Sequence, residues 1–368
     1  MKIIEIIPQL SQGGAERFVI DLCNQLSRNH EVILVVLHKL DHYGFFLHDL
    51  AANVKLVCME KELGFDRNLS FKLHRLLKLE KPDVVHTHLR AFTYILYSAF
   101  AYTAPNYFHT VHTQSPEEAD GKLGLILRKI AFTTHKIVPI TISEDSQRSF
   151  EQTYHTNSLL IYNGRPPLQQ NLQLQKQAEK EMEAFMQKGQ CLTILNVARI
   201  DTAKNQLTLA QAVHEINAES HKHVELLIIG RKENKEIINQ IETLRSPYVH
   251  LLGEREEPRH YMDKADAFCL PSIYEGMPIT LIECFSVGCI PLCTPTGGIK
   301  NMIKDGVNGM LASEGYDKAS IKQLLLRFLQ LNEQEKENIR KQSMASYKKY
   351  TMSTCASEYE KAFLGTPQ

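Results

Sequence analysis

The chain is 368 residues long, 43% of them hydrophobic and 23% charged, with 42 Lys plus Arg against 42 Asp plus Glu. At about 100 to 200 residues per domain this is material for two packed domains. The balance excludes a disordered tail or fibre, and it lacks the one-signed electrostatic footprint of a nucleic-acid binder. The cysteines Cys23, Cys58, Cys191, Cys269, Cys284, Cys289, Cys293 and Cys355 form no Cys-x-x-Cys pair or other zinc spacing, and they read as reduced core residues of a cytoplasmic protein. The opening MKIIEIIPQ is interrupted by Glu5 and is too short and polar for a secretory signal. The longest uncharged stretch, Ala91 to Phe108, carries Pro105, Asn106 and four tyrosines, so it reads as a buried helix and strand rather than a membrane span.

In chain order, Lys2 to Ile7 is a short strand ending at Pro8, and Gln9 to Gly14 is a polar turn. Ala15, Phe18, Val19, Leu22 and Leu26 then mark one helix face. Glu31 to Leu37 is a near-continuous apolar strand of the kind buried on both faces in a parallel sheet. The alternation continues with strand Val54 to Cys58, helix Leu69 to Leu79, strand Asp83 to His86, helix Ala91 to Tyr102 and strand Tyr107 to Val111. Helix Leu123 to Thr133, strand Lys136 to Thr141 and strand Leu159 to Tyr162 close the first series. Leu168 to Gln190 shifts to Gln, Lys and Glu and reads as a linker.

A second series starts at Cys191: strand to Val197, helix Gln206 to Ile216, strand Val224 to Ile229, helix Lys235 to Leu244 and strand Val249 to Leu252. A short helix near Arg259 to Lys264, strand Ala267 to Leu270, a helix from Pro278, strand Ile290 to Cys293 and a helical tail from Lys318 follow. The predicted class is α/β, with two doubly wound parallel sheets. The expected domains are 1–167, a linker 168–190, a second domain 191–348, and a C-terminal helix at 349–368 that can fold back on the first. Open parallel sheets bind ligands beyond the carboxyl ends of their strands, so a cleft between two such domains is the expected place for chemistry.

The most informative segment is Pro271-Ser-Ile-Tyr-Glu275-Gly-Met-Pro278-Ile-Thr-Leu-Ile-Glu283. Pro278 suits a first helical turn, and the amides near Met277, Ile279 and Thr280 would offer partial positive charge to a phosphate. Glu283 lies three and four residues after Thr280 and Ile279, on their side of the helix, where a carboxylate can accept from two ribose hydroxyls. Glu275 precedes the helix, where it can meet the hydroxyls of an attached sugar. Arg199 and Lys204 follow a strand and can reach one diphosphate, Arg as a planar fork and Lys as a point charge. Each also has a plain alternative, as a solvated loop cation or surface carboxylate.

Gly13 and Gly14 permit close backbone approach and positive φ, or simply make a turn; Gln12 to Arg17 is not a dinucleotide fingerprint. His112 ends a strand. His86 and His88 flank Thr87 and share a face, and no third metal ligand for them is visible in the sequence. The helix Leu69 to Leu79 carries Lys72, Arg75 and Lys78 beside apolar residues, which fits either peripheral contact with anionic lipid or a solvated face.

Taken in order, these segments resemble the retaining nucleotide-sugar glycosyltransferases of family 4, which have the GT-B fold of two Rossmann-like domains. Glu275 to Glu283 resembles the family's glutamate-seven-residues-glutamate motif, Gln12 to Arg17 its glycine loop, and Asp83-Val-Val-His86-Thr-His88 its fourth-strand signature. His109-Thr-Val-His112, Ile161-Tyr-Asn163-Gly164, Val197 to Asn205, Gly288-Cys-Ile-Pro291 and Asp305 to Gly309 also match. Lys300 and Asn301 after Gly297-Gly298-Ile299, and Arg165-Pro166 after Asn163-Gly164, depart from the pattern.

The resemblance implies sugar transfer from a UDP- or GDP-sugar to a glycan or lipid-linked glycan hydroxyl in surface-polysaccharide synthesis, at the cytoplasmic membrane face. It assigns His112, Glu275, Arg199 and Lys204 to catalysis and Gly13, Gly14, Met277, Ile279, Thr280 and Glu283 to the donor. His88 goes to the acceptor side. It implies no cofactor, metal or nucleic acid, and no Asp-x-Asp occurs in the chain. Two other classes stay open: a nucleotide-sugar epimerase or hydrolase of the same architecture, and a non-catalytic assembly partner.

Overall fold

The computed structural model describes residues 1–40, 44–113, 115–119, 121–185, 191–219, 223–313 and 315–365. They divide into two units, Met1–Pro166 with Tyr350–Gln368, and Pro167–Lys349. Each is built on one parallel sheet.

The first sheet has strands β1 (Lys2–Ile7), β2 (Glu31–His38), β3 (Lys55–Lys61), β4 (Val84–His88), β5 (Asn106–Val111), β6 (Val138–Thr141) and β7 (Leu159–Leu160). Their order is β3-β2-β1-β4-β5-β6-β7, so the winding reverses between β1 and β4. The apolar runs of β1 and β2 are buried along nearly their whole length because helices cover both faces. Ile4, Ile6, Ile33, Val35 and Val85 face a core completed by Leu73, Leu77, Phe92, Phe132 and Phe150. A helix at Glu144–Tyr154, not anticipated in the sequence, starts on a Ser143–Ser146 capping box.

The C-terminal helix Met352–Phe363 belongs to the first unit, with Tyr359 and Phe363 packed against His86 and Phe363 against Phe108. Arg165 accounts for one departure from the family pattern. Its guanidinium lies 2.7 Å from Asp21 in a buried ion pair, and its backbone bonds Tyr350 and Met352. That residue therefore ties the first helix to the last.

The second sheet has β8 (Cys191–Val197), β9 (His223–Ile229), β10 (Val249–Gly253), β11 (Ala267–Leu270), β12 (Pro291–Cys293) and β13 (Met310–Leu311), in the order β10-β9-β8-β11-β12-β13. Its core joins Ile194, Leu226, Ile228 and Leu292 to Leu209, Val213, Leu325 and Phe328.

Two expectations are corrected. Within 168–190, residues Leu172–Phe185 form a helix of the second unit. It buries only Ala178 and Met182, and Glu181 accepts from Tyr261 Oη and Arg255 Nε, each at 2.8 Å; so thin an apolar stripe looks like a linker in sequence. Among the cysteines, Cys58 and Cys191 are partly exposed while the other six are buried.

Candidate active site

In the second unit the winding reverses between β8 and β11, and the loops leaving these two strands carry the predicted charged residues. After β8, the Asp201 side chain accepts from the Lys204 amide at 3.0 Å and starts one 3-10 turn, Thr202–Lys204. Asn205 closes that turn with a φ of 58° and donates its side-chain amide to the Pro271 carbonyl at 3.2 Å. The Ile273 amide reaches back to the Ala203 carbonyl at 2.8 Å. So joined, the loops set Lys204 Nζ 2.7 Å from Glu275 Oε1, and the Ser272 hydroxyl donates to that same oxygen at 2.6 Å. Among the described residues none donates to the second carboxylate oxygen of Glu275.

Arg199 and Lys204 do not converge on one partner. Arg199, about half exposed, turns to Glu233 at 3.2 Å and Asp201 at 3.5 Å. Exposed pairs of this kind contribute little, so its guanidinium is cheaply redirected.

The loop bearing Glu275 is held from below. Thr294 Oγ1 donates to the Ser272 carbonyl at 2.5 Å, Thr296 Oγ1 to that of Ile273 at 2.9 Å, and the Gly298 amide to that of Gly276 at 2.8 Å. Gly297 has φ +50°, and a Cβ there would lie 1.8 Å from the Glu275 carbonyl oxygen. Only glycine lets the two loops meet this closely. Sequence reasoning passed over this contact, because nothing in the letters says which carbonyl a glycine will face.

Pro278 is corrected by one position: with ψ 122° it precedes the helix Ile279–Ser286 instead of opening it. The Leu281 amide bonds the Pro278 carbonyl at 3.1 Å, while those of Ile279 and Thr280 begin the helix and have no carbonyl a turn behind them. Met277, Ile279, Glu275 and Glu283 are all buried, so neither glutamate is a solvated surface residue.

In the first unit the glycine expectation is revised. Gly13 has φ −155° and Gly14 starts the helix Gly14–Leu26, so neither uses positive φ. A Cβ on Gly13 would stand 2.3 Å from Glu16 Oε2: the glycine makes room for a carboxylate that folds back over its own helix start and accepts from Ser11 Oγ at 2.8 Å.

His88 and His112 do come together, with Nδ1 of the first 3.0 Å from Nε2 of the second. Behind them lies Glu5, fully buried, its Oε2 2.8 Å from both His88 Nε2 and His86 Nδ1. Glu5, His86 and His88 are thus the three-ligand group that was not found in the sequence. Burial pushes the Glu5 carboxyl up, but the charges and hydrogen bonds of the two histidines outweigh it and hold it at about 2. Burial and the neighbouring His86 push His88 down to about 4, and burial with His88 beside it pushes His112 well below its ordinary value. On the opposite face of β4 and β5, Glu118 accepts the His112 backbone amide at 3.0 Å and lies 3.2 Å from His109 and 3.4 Å from Arg128.

Comparison with known proteins gives the family and the fold. A family model described as Glycosyl transferases group 1 matches residues 177–345, and one described as Glycosyltransferase Family 4 matches residues 12–167, together most of the chain. The chain belongs to glycosyltransferase family 4.

Among its relatives is a Campylobacter jejuni alpha-1,4-N-acetyl-D-galactosaminyltransferase named for a GalNAc-containing, diphosphoundecaprenol-linked glycan. It is 25% identical over 338 residues that cover 89% of this chain and 88% of that protein. An Escherichia coli UDP-Gal:alpha-D-GlcNAc-diphosphoundecaprenol alpha-1,3-galactosyltransferase is 26% identical over 280 residues, covering 73% of this chain and 70% of that one. Anabaena HepE, crystallised with UDP and glucose, superposes with a TM-score of 0.81 at 17% identity over 99% of this chain and 100% of that one. A Rickettsia africae glycosyltransferase gives 0.83 at 16% identity, covering 100% and 99%. These likenesses establish the GT-B fold, and this family 4 glycosyltransferase carries its charged loops at the reversal point of its second sheet.

The Gly297 contact yields a test. Gly297→Ala should cost about 1–2 kcal/mol in urea unfolding, from the left-handed φ alone. It should also lower the transfer rate about tenfold or more by displacing the Glu275 loop. Unchanged turnover would mean that the position of this loop does not matter to the chemistry.

Proposed function

We propose that this glycosyltransferase moves a sugar, with retention, from a UDP- or GDP-sugar to a hydroxyl of a glycan or lipid-linked glycan in surface-polysaccharide synthesis. The observation that carries the reading is the Lys204–Glu275 pair beside the start of the helix Ile279–Ser286. The activities for which the Campylobacter and Escherichia relatives are named support the acceptor class, and UDP bound to Anabaena HepE supports the donor class.

In this reading the diphosphate takes the ammonium of Lys204, the redirected guanidinium of Arg199 and the first amides of the helix, from Ile279 and Thr280. These groups stabilise the charge that grows on the leaving diphosphate and need little reorganisation during the reaction. Glu283 accepts from ribose hydroxyls. Glu275, through its second oxygen, accepts from the sugar. His112 hydrogen-bonds the reacting sugar, Gly13 and Gly14 bring backbone close to the donor, and His88 serves the acceptor side. Cations and helix amides fill the role of a metal, so the reading requires neither metal nor cofactor.

Thermal unfolding with UDP, GDP and ADP tests this, because a ligand selective for the folded state raises the midpoint. One diphosphate should raise it with or without a chelator. Lys204→Ala should weaken that binding and slow transfer, and Glu283→Ala should mainly weaken binding. No shift with any diphosphate would sink the nucleotide-sugar reading, and product formation without an acceptor would favour a hydrolase or epimerase.

The proposal places the enzyme at the inner membrane face as a peripheral protein. Among the described residues no helix is long and apolar enough to cross a membrane. The helix Gly121–Thr133 exposes Leu123, Ile126, Leu127 and Ile130 beside Lys122 and Lys129 and contains no acidic residue. The helix Arg67–Glu80 exposes Phe71 and Leu79 among Lys72, Arg75 and Lys78. An apolar face with a basic border suits an anionic lipid surface. Co-sedimentation with anionic vesicles should drop when Leu123 and Ile126 are both changed to Glu; equal sedimentation would remove the membrane contact through this helix.

A further inference from the structure

We propose that Glu5 and His88 are positioning residues that fix the tautomer of His112, leaving its Nδ1 as a lone-pair acceptor for a sugar hydroxyl. The proposal rests on the reading of His112 as a residue that meets the sugar.

The argument is a count of protons. Glu5 sits in the middle of β1, paired in register with His86 of β4, and its side chain is fully buried. An ionised carboxylate only accepts, so the nitrogen hydrogen-bonded to its Oε2 at 2.8 Å, His88 Nε2, carries hydrogen. A neutral imidazole has one N–H. His88 Nδ1 is therefore a lone pair, and its 3.0 Å contact with His112 Nε2 requires His112 to donate. That leaves no proton on Nδ1 of a neutral His112. The depressed basicity of both rings, caused first by burial, keeps them neutral at pH 7.

On the neighbouring ring, His86 Nε2 lies 2.8 Å from the Thr110 hydroxyl, which lies 2.8 Å from Tyr359 Oη. The His112 ring is also fixed in direction. Its backbone amide is bound to Glu118 at 3.0 Å, and the ring meets Phe18 edge-on with centroids 5.8 Å apart.

A metal ion is the competing occupant of this cluster, since the ligand atoms of Glu5, His86 and His88 lie within 4.8 Å of one another. Both nitrogens, however, approach one carboxylate oxygen to 2.8 Å. Tetrahedral zinc bonds of about 2.0 Å would hold ligand atoms about 3.3 Å apart. The His88 contact is a hydrogen bond.

The test is the nitrogen spectrum of protein labelled with ¹⁵N in its histidine rings, without substrate. Wild type should show His112 protonated at Nε2 and bare at Nδ1. In Glu5→Gln the new amide can donate to His88 Nε2, which reverses both bonds and moves the His112 proton to Nδ1. That variant should lose about tenfold or more in kcat, as wrong-tautomer histidines do, with KM for the nucleotide sugar little changed. A proton on Nδ1 in wild type overturns the proposal whether or not the variant folds, as does an unmoved tautomer in Glu5→Gln. One equivalent of bound metal in wild type, lost in Glu5→Gln, overturns it too. A tautomer that moves while kcat stays constant overturns the positioning role. Wild-type transfer by His112→Ala would instead defeat the reading of His112 itself and leave the nitrogen spectrum standing.

Discussion

Two loops leave neighbouring parallel strands at the point where the winding of the second sheet reverses, and one ion pair, Lys204 with Glu275, spans them. Much of the site's local construction serves that pair. Asp201 and Asn205 shape the turn that aims the lysine, and Thr294, Thr296, Gly297 and Gly298 hold up the loop that carries the glutamate. The pair is largely buried, where charges interact more strongly than on the surface, and Ser272 shares the load on the same carboxylate oxygen. In the proposed reading, a cation so placed exchanges that partner for an arriving diphosphate, and a carboxylate so placed keeps its other oxygen for hydroxyls.

The first unit solves a different problem with similar means. Its sheet buries a carboxylate, Glu5, and places polar groups on both faces of β4 and β5. Such networks are costly unless every member finds a partner. Here the strand register brings most of the partners together, since Glu5 lies opposite His86, Thr87 opposite His109 and His88 opposite Thr110, while Glu5 Oε1 and His86 Nδ1 stay without a hydrogen bond. The C-terminal helix completes the layer with Tyr359, and the Arg165–Asp21 pair fastens its entry to the first helix.

Most of the alternation of strands and helices was legible because fully buried parallel strands and amphipathic helices have strong periodic signatures. The helix Leu172–Phe185 was not, since two buried side chains in a run of Gln, Lys and Glu leave almost no period. The helix Glu144–Tyr154 hid for the same reason: only Phe150 and Tyr154 supply buried apolar mass. The charged residues of the site were found from their places after strands and before a helix, and from the resemblance. Their pairing was not, because Lys204 and Glu275 are 71 positions apart and only the sheet order makes them neighbours. Glu5 was read as the residue that spoils a signal peptide, and its partners lie more than 80 positions away.

The central claim is that Glu275 holds Lys204 until a nucleoside diphosphate displaces it. Calorimetric titration of the nucleoside diphosphate into wild type and Glu275→Gln tests this most directly. Removing the competing carboxylate should leave a largely buried ammonium in want of an anion and so tighten diphosphate binding by about threefold or more, even though the variant transfers sugar more slowly. Weaker binding of the diphosphate to Glu275→Gln than to wild type would contradict the account, because it would make Glu275 a support for the phosphate-binding lysine and not its competitor.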